Sequence, residues 1–421
     1  MDKFVIKGPC KVKGQVDISG SKNASLPILA ATILFDQTVE IKNLPNVKDI
    51  DTMLELIQSL GFTVKRDKKK CSVKILRTKK INTITTYSRV KTMRAGILLL
   101  GPLISKFKNA VCSLPGGCLI GPVRPVNLHL EALSKLGMNY KIKKGYIHAN
   151  VKKNLKANKI KFSKVSVGAT ENTIMAACLA HGKTVLKNCA IEPEIKDLIN
   201  FLRKGGAKIK WIGKRSLEIY GVRSLNTVSY SVMGDRIECG TFCVAAAVTG
   251  GILKIKGLDH KIIKTELDIL RKTGSKINTS KKQILINGPK KIKNIKNLVT
   301  KEWPGFSTDL QAQFMVLLCK GNGRSVITEN IFQNRFMHVN ELRRLGATIF
   351  VKNNRAVIEG NTNFDGAELM SSDLRASVAL VLAAMVSRGT SVISRIFHLD
   401  RGYEKLEKKL RKIGVNIKRI F

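Results

Sequence analysis

Two hydrophobic patterns alternate along the 421 residues of this chain. One is a run of small apolar residues that is apolar on nearly every side, which is typical of a helix buried all round. The other is a short alternation of apolar and polar residues, which predicts a strand with one buried face. We predict six buried helices, at residues 24–34, 95–104, 172–180, 241–248, 310–319 and 376–386. We predict strands after most of them, for example at residues 38–41, 183–186, 251–255, 324–327 and 389–393.

A glycine separates a helix-like stretch from a strand-like stretch six times, at intervals of 68 to 76 residues. The six are Gly61, Gly137, Gly206, Gly274, Gly346 and Gly414. Glycine adopts the left-handed conformation that ends a helix without a steric clash of Cβ. A constant interval over a whole chain indicates one folding unit that is repeated. We therefore predict an α/β protein of six modules, each with the order strand, helix, strand, buried helix, strand.

The length and the cysteines limit the class of protein. At 421 residues the chain is long enough for two domains, so six modules divide most simply into two sets of three. The nine cysteines form no Cys-x-x-Cys pair, which favours a reducing compartment and argues against a disulfide framework or a zinc site. The first residues lack the apolar core of a signal peptide, and the most apolar run, at residues 97–104, is too short to span a membrane. We expect a cytoplasmic protein without a metal.

The net charge of +45 has two interpretations. One is a polyanionic partner, such as nucleic acid or an anionic membrane. The other is a compositional drift toward lysine that leaves the solvated surface basic. We favour the drift, because lysines are spread through most modules and no basic arm or aromatic stacking platform appears. We expect no specific nucleic-acid partner and no membrane insertion, although such a surface would attract small anionic substrates.

Polar residues precede the buried helices, and some of them are typical helix caps. Capping accounts for Thr170, Thr308 and Asp373, because these side chains accept hydrogen bonds from free amides at a helix start. A cation near a helix start is harder to explain, since the helix dipole disfavours it there. A bound anion would explain such cations, and the alternative is an accident of the surface. The cations with this placement are Lys22, Arg94, Arg236 and Arg375.

Two loops carry the candidate chemistry. Residues 114–125 are rich in Gly and Pro, which predicts an exposed loop, and they contain Cys118 and Arg124. A nearby cation lowers the pKa of a thiol and raises its reactivity, so we interpret Cys118 as functional and the other eight cysteines as packed. The second loop, at residues 303–308, leads to Asp309. This aspartate either caps the next helix or accepts a proton from a substrate hydroxyl, and the spacing leaves both interpretations open.

Five segments of the chain, taken in order, resemble the enolpyruvyl transferases, and most closely the members that act on UDP-N-acetylglucosamine. They are residues 20–24 (GSKNA), 115–118 (PGGC), 303–309 (WPGFSTD), 334–339 (NRFMHV) and 400–404 (DRGYE). The resemblance covers nearly the whole chain and implies an inside-out α/β barrel of two three-module domains. It places one domain, with the Cys118 loop, at residues 22–233 and the other at residues 1–21 plus 234–421. The active site is then expected in the cleft between them.

The resemblance also implies a reaction. The enzyme would be a transferase that moves the enolpyruvyl group of phosphoenolpyruvate to the 3-hydroxyl of UDP-N-acetylglucosamine and releases phosphate. This is the first committed step of peptidoglycan precursor synthesis. The family needs no metal or organic cofactor for it, and we expect a monomer.

The same resemblance assigns roles to residues. Cys118 matches the catalytic acid, which is also alkylated by fosfomycin, and Asp309 matches the group that takes the hydroxyl proton. Lys22, Arg124 and Arg401 match the cations that hold phosphoenolpyruvate, and we count Lys22 as catalytic too. We add Asp373 and Arg375, at a helix start, as substrate-binding candidates. The positions that match contacts to the nucleotide sugar are Asn23, Arg94, Arg124, Pro125, Val126, Asn127, Leu128, Lys164, Val165, Ser166, Val167, Asp309 and Ile331.

The chain departs from the family at three points. One extra residue lies between Cys118 and Arg124, Asn127 stands where the family commonly has Asp, and the net charge is unusually basic. The first departure concerns the reach of the thiol relative to Arg124, and the second concerns the contact to uracil. Two rivals stay open: an enolpyruvylshikimate phosphate synthase of the same fold, and a polyanion-binding protein built on the same modules.

Overall fold

The computed structural model describes residues 2–90, 93–114 and 126–421, with the backbone alone at Arg89. In these residues the strands, numbered in chain order, are β1 (Lys3–Gly8), β2 (Lys13–Asp17), β3 (Val39–Lys42), β4 (Thr63–Asp67), β5 (Ser72–Leu76), β6 (Ile84–Thr85), β7 (Asn109–Ser113), β8 (Asn139–Lys143), β9 (Tyr146–Asn150), β10 (Lys159–Lys161), β11 (Lys183–Lys187), β12 (Lys208–Gly213), β13 (Ser216–Tyr220), β14 (Val228–Ser231), β15 (Ile252–Lys256), β16 (Lys276–Ser280), β17 (Gln283–Asn287), β18 (Leu298–Val299), β19 (Ser325–Thr328), β20 (Ile349–Lys352), β21 (Arg355–Ile358), β22 (Glu368–Met370), β23 (Gly389–Ser394) and β24 (Asn416–Ile420).

The α-helices of the same residues are α1 (Lys22–Ala31), α2 (Lys48–Ser59), α3 (Tyr87–Val90), α4 (Leu100–Phe107), α5 (Asn127–Lys135), α6 (Val167–Ala177), α7 (Pro193–Lys204), α8 (Arg236–Thr249), α9 (Lys264–Lys272), α10 (Gln311–Cys319), α11 (Val339–Arg344), α12 (Leu374–Val386), α13 (Phe397–Asp400) and α14 (Leu406–Lys412). Short 3₁₀ segments lie at Thr32–Leu34, Arg94–Leu99, His260–Ile263 and Thr308–Leu310.

The strands of the described residues form six four-stranded sheets of one design. In each, an outer strand is parallel to its neighbour and the other strands pair antiparallel. The predicted six modules are confirmed, but the predicted three strands per module are wrong. Each of the first five helix-ending glycines is followed by two strands, where the prediction had one. After Gly137, for example, the predicted strand is β8, whereas the second strand, β9, was not predicted.

The chain forms two compact units. One holds the described residues of 20–233, and the other holds residues 2–19 and 234–421. The sheets of the first are β14-β3-β5-β4, β6-β7-β9-β8 and β10-β11-β13-β12. The sheets of the second are β2-β15-β17-β16, β18-β19-β21-β20 and β22-β23-β1-β24.

Two strands leave the module in which sequence order would place them. β2 precedes α1 but pairs with β15, and β14 precedes α8 but pairs with β3. The strand β1 pairs with both β23 and β24, so the two ends of the chain share a sheet. Each unit therefore takes its final strand from a distant part of the sequence.

Helices lie inside each unit and sheets outside. In one unit α8, α10 and α12 contact one another, and in the other α1 and α6 pack with the 3₁₀ segment Arg94–Leu99, which leads into α4. These are the six predicted buried helices, and nearly all their residues are buried. Small residues permit the close packing: a Cβ on Gly240 would lie 2.5 Å from Leu310 Cδ1. The predicted inside-out α/β barrel is confirmed.

The six junction glycines have the predicted left-handed conformation, with φ between 93° and 103°. In each case the amide after the glycine donates to the carbonyl five residues earlier, as Phe62 does to Ile57 and Ser275 does to Leu270. This pairing satisfies carbonyls that the helix end leaves open. The glycines therefore set where each outer helix stops and its hairpin begins.

Candidate active site

The helix starts of the described residues hold most of the predicted site residues. Lys22 and Asn23 begin α1, Arg94 begins a 3₁₀ segment, and Val167 begins α6. Cys118, Arg124 and Pro125 lie outside the described residues, so their predicted roles stay predictions. The caps themselves differ in part from the prediction.

Serine and aspartate cap these helices. The Asp373 carboxylate accepts from the amides of Arg375 and Ala376, at 2.8 and 3.0 Å, as predicted. The predicted caps Thr170 and Thr308 are wrong, because Ser166 and Ser307 hold those positions. The two threonine hydroxyls contact other segments, where Thr170 Oγ1 accepts from the Ala190 amide and Thr308 Oγ1 donates to Glu329. Sequence spacing alone did not distinguish the first helical turn from the residue before it.

Asp309 is held by two arginines. Arg335 Nη2 donates to its Oδ1 at 2.6 Å, and Arg375 Nη2 donates to its Oδ2 at 2.7 Å. Both guanidinium groups are nearly buried, with side-chain exposures of 6% and 9%. Ser307 caps the segment, so the carboxylate of Asp309 does not serve as the cap. Charge-assisted bonds to both oxygens fix the plane of this carboxylate.

Arg375 lies in a fully buried polar cluster. Burial by itself lowers the pKa of Arg375, but the charges of Asp309, Tyr403 and Asp235 outweigh it and raise the pKa above the ordinary value. The Tyr403 hydroxyl is 2.9 Å from the Thr241 hydroxyl, and Gln313 Nε2 donates to Thr241 at 3.2 Å. The cation therefore stays charged and in place beneath Asp309.

His338 is a buried residue that sequence reasoning did not assign. It is 2% exposed, and its pKa is lowered to about 4. Burial is the main cause; the charge of Asp373 raises the pKa, and the charge of Arg335 lowers it. The ring is therefore neutral at physiological pH. It contributes packing, and no positive charge, to the cluster around Asp309.

The loop that carries Ile331 is anchored by Glu329. One oxygen of this carboxylate accepts from the amides of Ile331 and Phe332, at 2.8 and 3.1 Å, and from the Thr300 hydroxyl. The other oxygen accepts from the Thr308 hydroxyl, one residue from Asp309. Glu329 thus ties the Ile331 loop to the segment of Asp309, and it too was missed from the sequence.

Arg401 follows a carboxylate that is itself fixed. Arg401 is the C-cap of α13, and Asp400, directly before it, receives both Nη groups of Arg419, at 2.6 and 3.1 Å. The guanidinium of Arg419 lies over the Phe4 ring, 5.2 Å from its centroid. The strands β1 and β24 therefore fix the backbone at Arg401.

In the other unit, Lys22 lies next to a carboxylate. Its Nζ is 3.3 Å from Asp49 Oδ2, and both side chains are largely buried. Asp49 is in the first turn of α2, where an acidic residue has an ordinary explanation in the helix dipole, so the sequence did not single it out. The placement of Lys22 and Arg375 in the sequence predicted a bound anion next to them. In the structure, carboxylates of the protein itself, Asp49 and Asp309, lie next to these two cations.

The position of Lys22 depends on a chain of hydrogen bonds. Ser21 Oγ caps α1, and the Ser21 amide donates to the Met233 carbonyl at 2.8 Å. The Met233 amide donates to Asp197 Oδ2 at 3.1 Å, and the Tyr230 hydroxyl donates to Asp197 Oδ1 at 2.7 Å. A buried aspartate therefore fixes the backbone that leads into Lys22.

Arg94 is near a buried histidine. Burial, together with the charge of Arg94, lowers the pKa of His129 to about 4. Asn172 Nδ2 is 3.1 Å from His129 Nδ1 and also donates to the Ile97 carbonyl at 2.9 Å. Since an amide nitrogen can only donate, His129 Nδ1 is the acceptor and the neutral ring carries its proton on Nε2.

The remaining predicted contacts in this unit lie at two helix starts. Val126, Asn127 and Leu128 form the start of α5, where Asn127 Nδ2 is 3.4 Å from Glu131 Oε1. The other set precedes or begins α6, where Ser166 is the cap. It consists of Lys164, Val165, Ser166 and Val167.

Three buried glutamates lie near the start of α6 and α7. Burial raises the pKa of Glu171 well above its ordinary value, and the charges of Glu194 and Glu192 raise it further. Burial and the two neighbouring carboxylates therefore favour the protonated form of Glu171 more than solvent does. The short sequence Glu192-Pro193-Glu194 was the signal that could have indicated this acidic cluster.

Two kinds of feature are absent from the described residues. No helix there has both the length and the apolar character to cross a membrane. In the same ranges no three His, Cys, Asp or Glu side chains are grouped as metal ligands.

Comparison with known proteins gives consistent relationships. The family model of EPSP synthase (3-phosphoshikimate 1-carboxyvinyltransferase) matches residues 6–410. A UDP-N-acetylglucosamine 1-carboxyvinyltransferase of Pelagibacter ubique (strain HTCC1062) is 61% identical over 420 residues, all of both chains, and that of Geotalea uraniireducens (strain Rf4) is 47% identical over the same length and coverage.

Solved structures agree on the fold. The enolpyruvyl transferase NikO from Streptomyces tendae has a TM-score of 0.91 at 22% identity, over 99% of this chain and 98% of that one. An EPSP synthase from Acinetobacter baumannii has a TM-score of 0.78 at 17% identity over all of both chains. This chain belongs to the EPSP synthase family of enolpyruvyl transferases, and within that family it is similar over its full length to the UDP-N-acetylglucosamine 1-carboxyvinyltransferases.

Proposed function

We propose that this protein transfers the enolpyruvyl group of phosphoenolpyruvate to the 3-hydroxyl of UDP-N-acetylglucosamine and releases phosphate. The observation that carries the proposal is the 61% identity, over the full length of both chains, with a relative named for this transfer. This transfer would supply the first committed precursor of peptidoglycan. We further propose a cytoplasmic, monomeric enzyme with a role in cell-wall growth, cell shape and division.

The reaction sets the requirements for the residues. A proton adds to the methylene carbon of phosphoenolpyruvate, and the sugar oxygen forms a bond to the adjacent, electron-poor carbon. The carbon–oxygen bond to phosphate then breaks, and the methylene carbon loses a proton to restore the double bond. The step needs an acid for the methylene carbon and a base for the hydroxyl proton.

Asp309 is the proposed base. Its two oxygens accept from Arg335 and Arg375, which hold the carboxylate in one orientation. A carboxylate oxygen has two lone pairs, so an oxygen paired with one guanidinium is able to accept a further proton donor. The arrangement supports a role in which a substrate hydroxyl meets a carboxylate that is already aligned.

Lys22, Arg124 and Arg401 are the proposed partners of phosphoenolpyruvate. This donor carries about three negative charges, and several cations are needed to offset them. Two features support the assignment: Lys22 is partly buried beside Asp49, and the backbone at Arg401 is fixed through Asp400. The Lys22 side chain and the backbone at Arg401 are thus held in position before a substrate binds.

The other proposed substrate contacts follow the resemblance. They are Asn23, Arg94, Pro125, Val126, Asn127, Leu128, Lys164, Val165, Ser166, Val167, Ile331, Asp373 and Arg375. Those in the described residues lie at or next to helix starts, with the exception of Ile331, and helix starts favour anionic groups such as a diphosphate.

Cys118 is the proposed acid and the proposed target of fosfomycin. Replacement by serine removes the acidic, nucleophilic sulfur and retains the size of the side chain. We expect Cys118→Ser to lose labelling by fosfomycin and most of its turnover. The partly exposed Cys10 provides a matched control, since Cys10→Ser removes a thiol that is not part of residues 114–125. Unchanged labelling of Cys118→Ser, measured by intact mass, would contradict the assignment.

Phosphate release by the purified protein tests the whole proposal. We expect release only when phosphoenolpyruvate and UDP-N-acetylglucosamine are both present, with a product that has gained the enolpyruvyl mass. Release that requires shikimate 3-phosphate instead would reject the proposal in favour of the related synthase. A salt titration of RNA binding tests the polyanion alternative, which predicts tight binding and no phosphate release.

A further inference from the structure

A cationic cavity lies at the carboxyl ends of two buried helices. It has a volume of about 600 Å³ and is lined in part by Thr249 and Gly250, at the end of α8, and by the C-cap of α10. All of its lining residues belong to the unit of residues 2–19 and 234–421. Its charged and amide side chains are Lys11, Lys290, Lys291, Lys320, Asn322 and Asn361.

The positive charges of this cavity lack acidic partners. No Asp or Glu is among its lining residues. In the described part of the chain, none of the four lysines has a carboxylate within ion-pair distance, whereas Lys409, for example, lies 2.6 Å from Glu238 Oε1. The charge of the cavity is therefore not neutralised from within the unit.

Lys320 is in the least favourable position of the four. It is half-buried, and its Nζ donates to the neutral carbonyl of Thr362 at 2.9 Å. Burial lowers the pKa of Lys320, and the charge of Arg388 lowers it further. A bound anion would offset both effects, because it would restore an opposite charge next to a partly desolvated ammonium.

Helix ends offer a simpler explanation for these lysines, but they account for only part of the charge. The carboxyl end of an α-helix is equivalent to about half a negative charge, so α8 and α10 together contribute about one. Four lysines and Arg388 bring five positive charges to the same region. The surplus exceeds what capping of two helix ends requires.

The cavity is far from the proposed substrate residues of the same unit. Asp235 and Asp309 lie at the amino ends of α8 and α10, whereas the cavity is at their carboxyl ends. The nine residues of α10, which separate Asp309 from the cavity, span about 14 Å at about 1.5 Å per residue. A ligand in the cavity would therefore not occupy the position of a substrate held at those helix starts.

We propose that this cavity binds a small polyphosphorylated anion. Its volume is within the usual range for a site of nucleotide or metabolite size. Lysine is a common ligand of phosphate groups, and the side-chain amides of Asn322 and Asn361 provide further donors. The proposed anion site is separate from the proposed transferase site. Evidence against one of the two proposals would therefore not count against the other.

Calorimetric titration with inorganic tripolyphosphate tests the site. The titration is done at about 0.15 M salt, where weak surface attraction is screened, and with UDP-N-acetylglucosamine present in excess to fill the substrate position. The test variant is Lys290→Gln with Lys291→Gln, since both side chains are exposed and not required for packing. The control is Lys281→Gln with Lys282→Gln, an exposed pair in the turn between β16 and β17 that removes the same charge from the same unit.

We expect the affinity for tripolyphosphate to fall about tenfold or more in the test variant and less than about twofold in the control, because only the former removes charge-assisted hydrogen bonds. Lys320→Met, with its fold checked by thermal unfolding, should weaken binding as well. Two results would overturn the proposal: equal losses in the two double variants, or no measurable binding by the parent protein.

Discussion

Asp197→Asn should stabilise the protein relative to its parent as the pH rises from acid to neutral. The Asp197 carboxylate is 8% exposed, and burial raises its pKa to about 6 from the ordinary 3.8. Hydrogen bonds from Tyr230 and Met233 oppose the shift, and the charge of Glu194 adds to it. Asparagine retains an oxygen for the Met233 amide and an amide for the Tyr230 oxygen, but it cannot ionise.

The sign and size follow from the two pKa values. Because the folded pKa is raised, the folded state binds the proton more tightly than the unfolded chain does. The contribution of Asp197 to stability is fully present below about pH 3.8 and is lost as the pH rises through about 6. The difference between the two pKa values corresponds to about 3 kcal/mol. The free energy of unfolding of the variant, minus that of the parent, should therefore increase by up to about 3 kcal/mol over this interval.

Urea unfolding followed by circular dichroism measures this difference at a series of pH values between about 4 and about 7.5. The other buried ionisable groups are present in both proteins, so their contributions to the difference cancel to first order. Asp17→Asn, at an exposed position, is the matched control and should show no such trend. A difference between variant and parent that does not change with pH would refute the conclusion that burial governs Asp197.

Three further predictions concern the site and the helix ends. Asp309→Asn should lower kcat about 100- to 10,000-fold, since it removes the proposed base, whereas Asp268→Asn, at an exposed pair with arginine, should leave kcat nearly unchanged; an equal effect in both would contradict the role. Lys22→Ala should raise the KM for phosphoenolpyruvate strongly and lower the melting temperature only slightly. A large loss of melting temperature with an unchanged KM would contradict this prediction. Gly137→Ala should lower the free energy of unfolding, measured in urea, by about 1–2 kcal/mol. This cost is backbone strain alone, because φ is +103° and the added Cβ would have no atom within 4 Å. Gly61→Ala should cost about 1–3 kcal/mol more, because its Cβ would lie 2.3 Å from the Lys80 carbonyl oxygen, and equal costs would show that the contact relaxes freely.

Local chemistry made parts of the fold predictable. A glycine that ends a helix acts through its own backbone, so Gly61 and Gly137 could be identified from their neighbours in sequence. The buried helices were equally local, since an all-round apolar helix has one stable environment. The second strand of each hairpin, such as β9, was missed because the pattern was assigned only one strand between the two helices of a module.

The partners in the site were beyond sequence reasoning for a physical reason. Arg335 and Arg375 lie 26 and 66 residues from Asp309, and only the packing of α10 against α12 and the following loop brings them to one carboxylate. Asp49 was ambiguous because its position in a first helical turn has an ordinary explanation. For a similar reason the cap of α6 was predicted at Thr170, the fourth residue of the helix, whereas Ser166 is the actual cap.

The exchange of β2 and β14 has a consequence for biosynthesis. Residues 3–17 leave the ribosome before almost all of the chain, yet β15, β23 and β24, which must pair with them, are made more than 230 residues later. The unit of residues 20–233 is complete as soon as β14 emerges, while the other waits for the last strand. The nascent chain therefore holds two unpaired, β-prone segments through most of its translation, and a chaperone that shields them would be most needed during that interval.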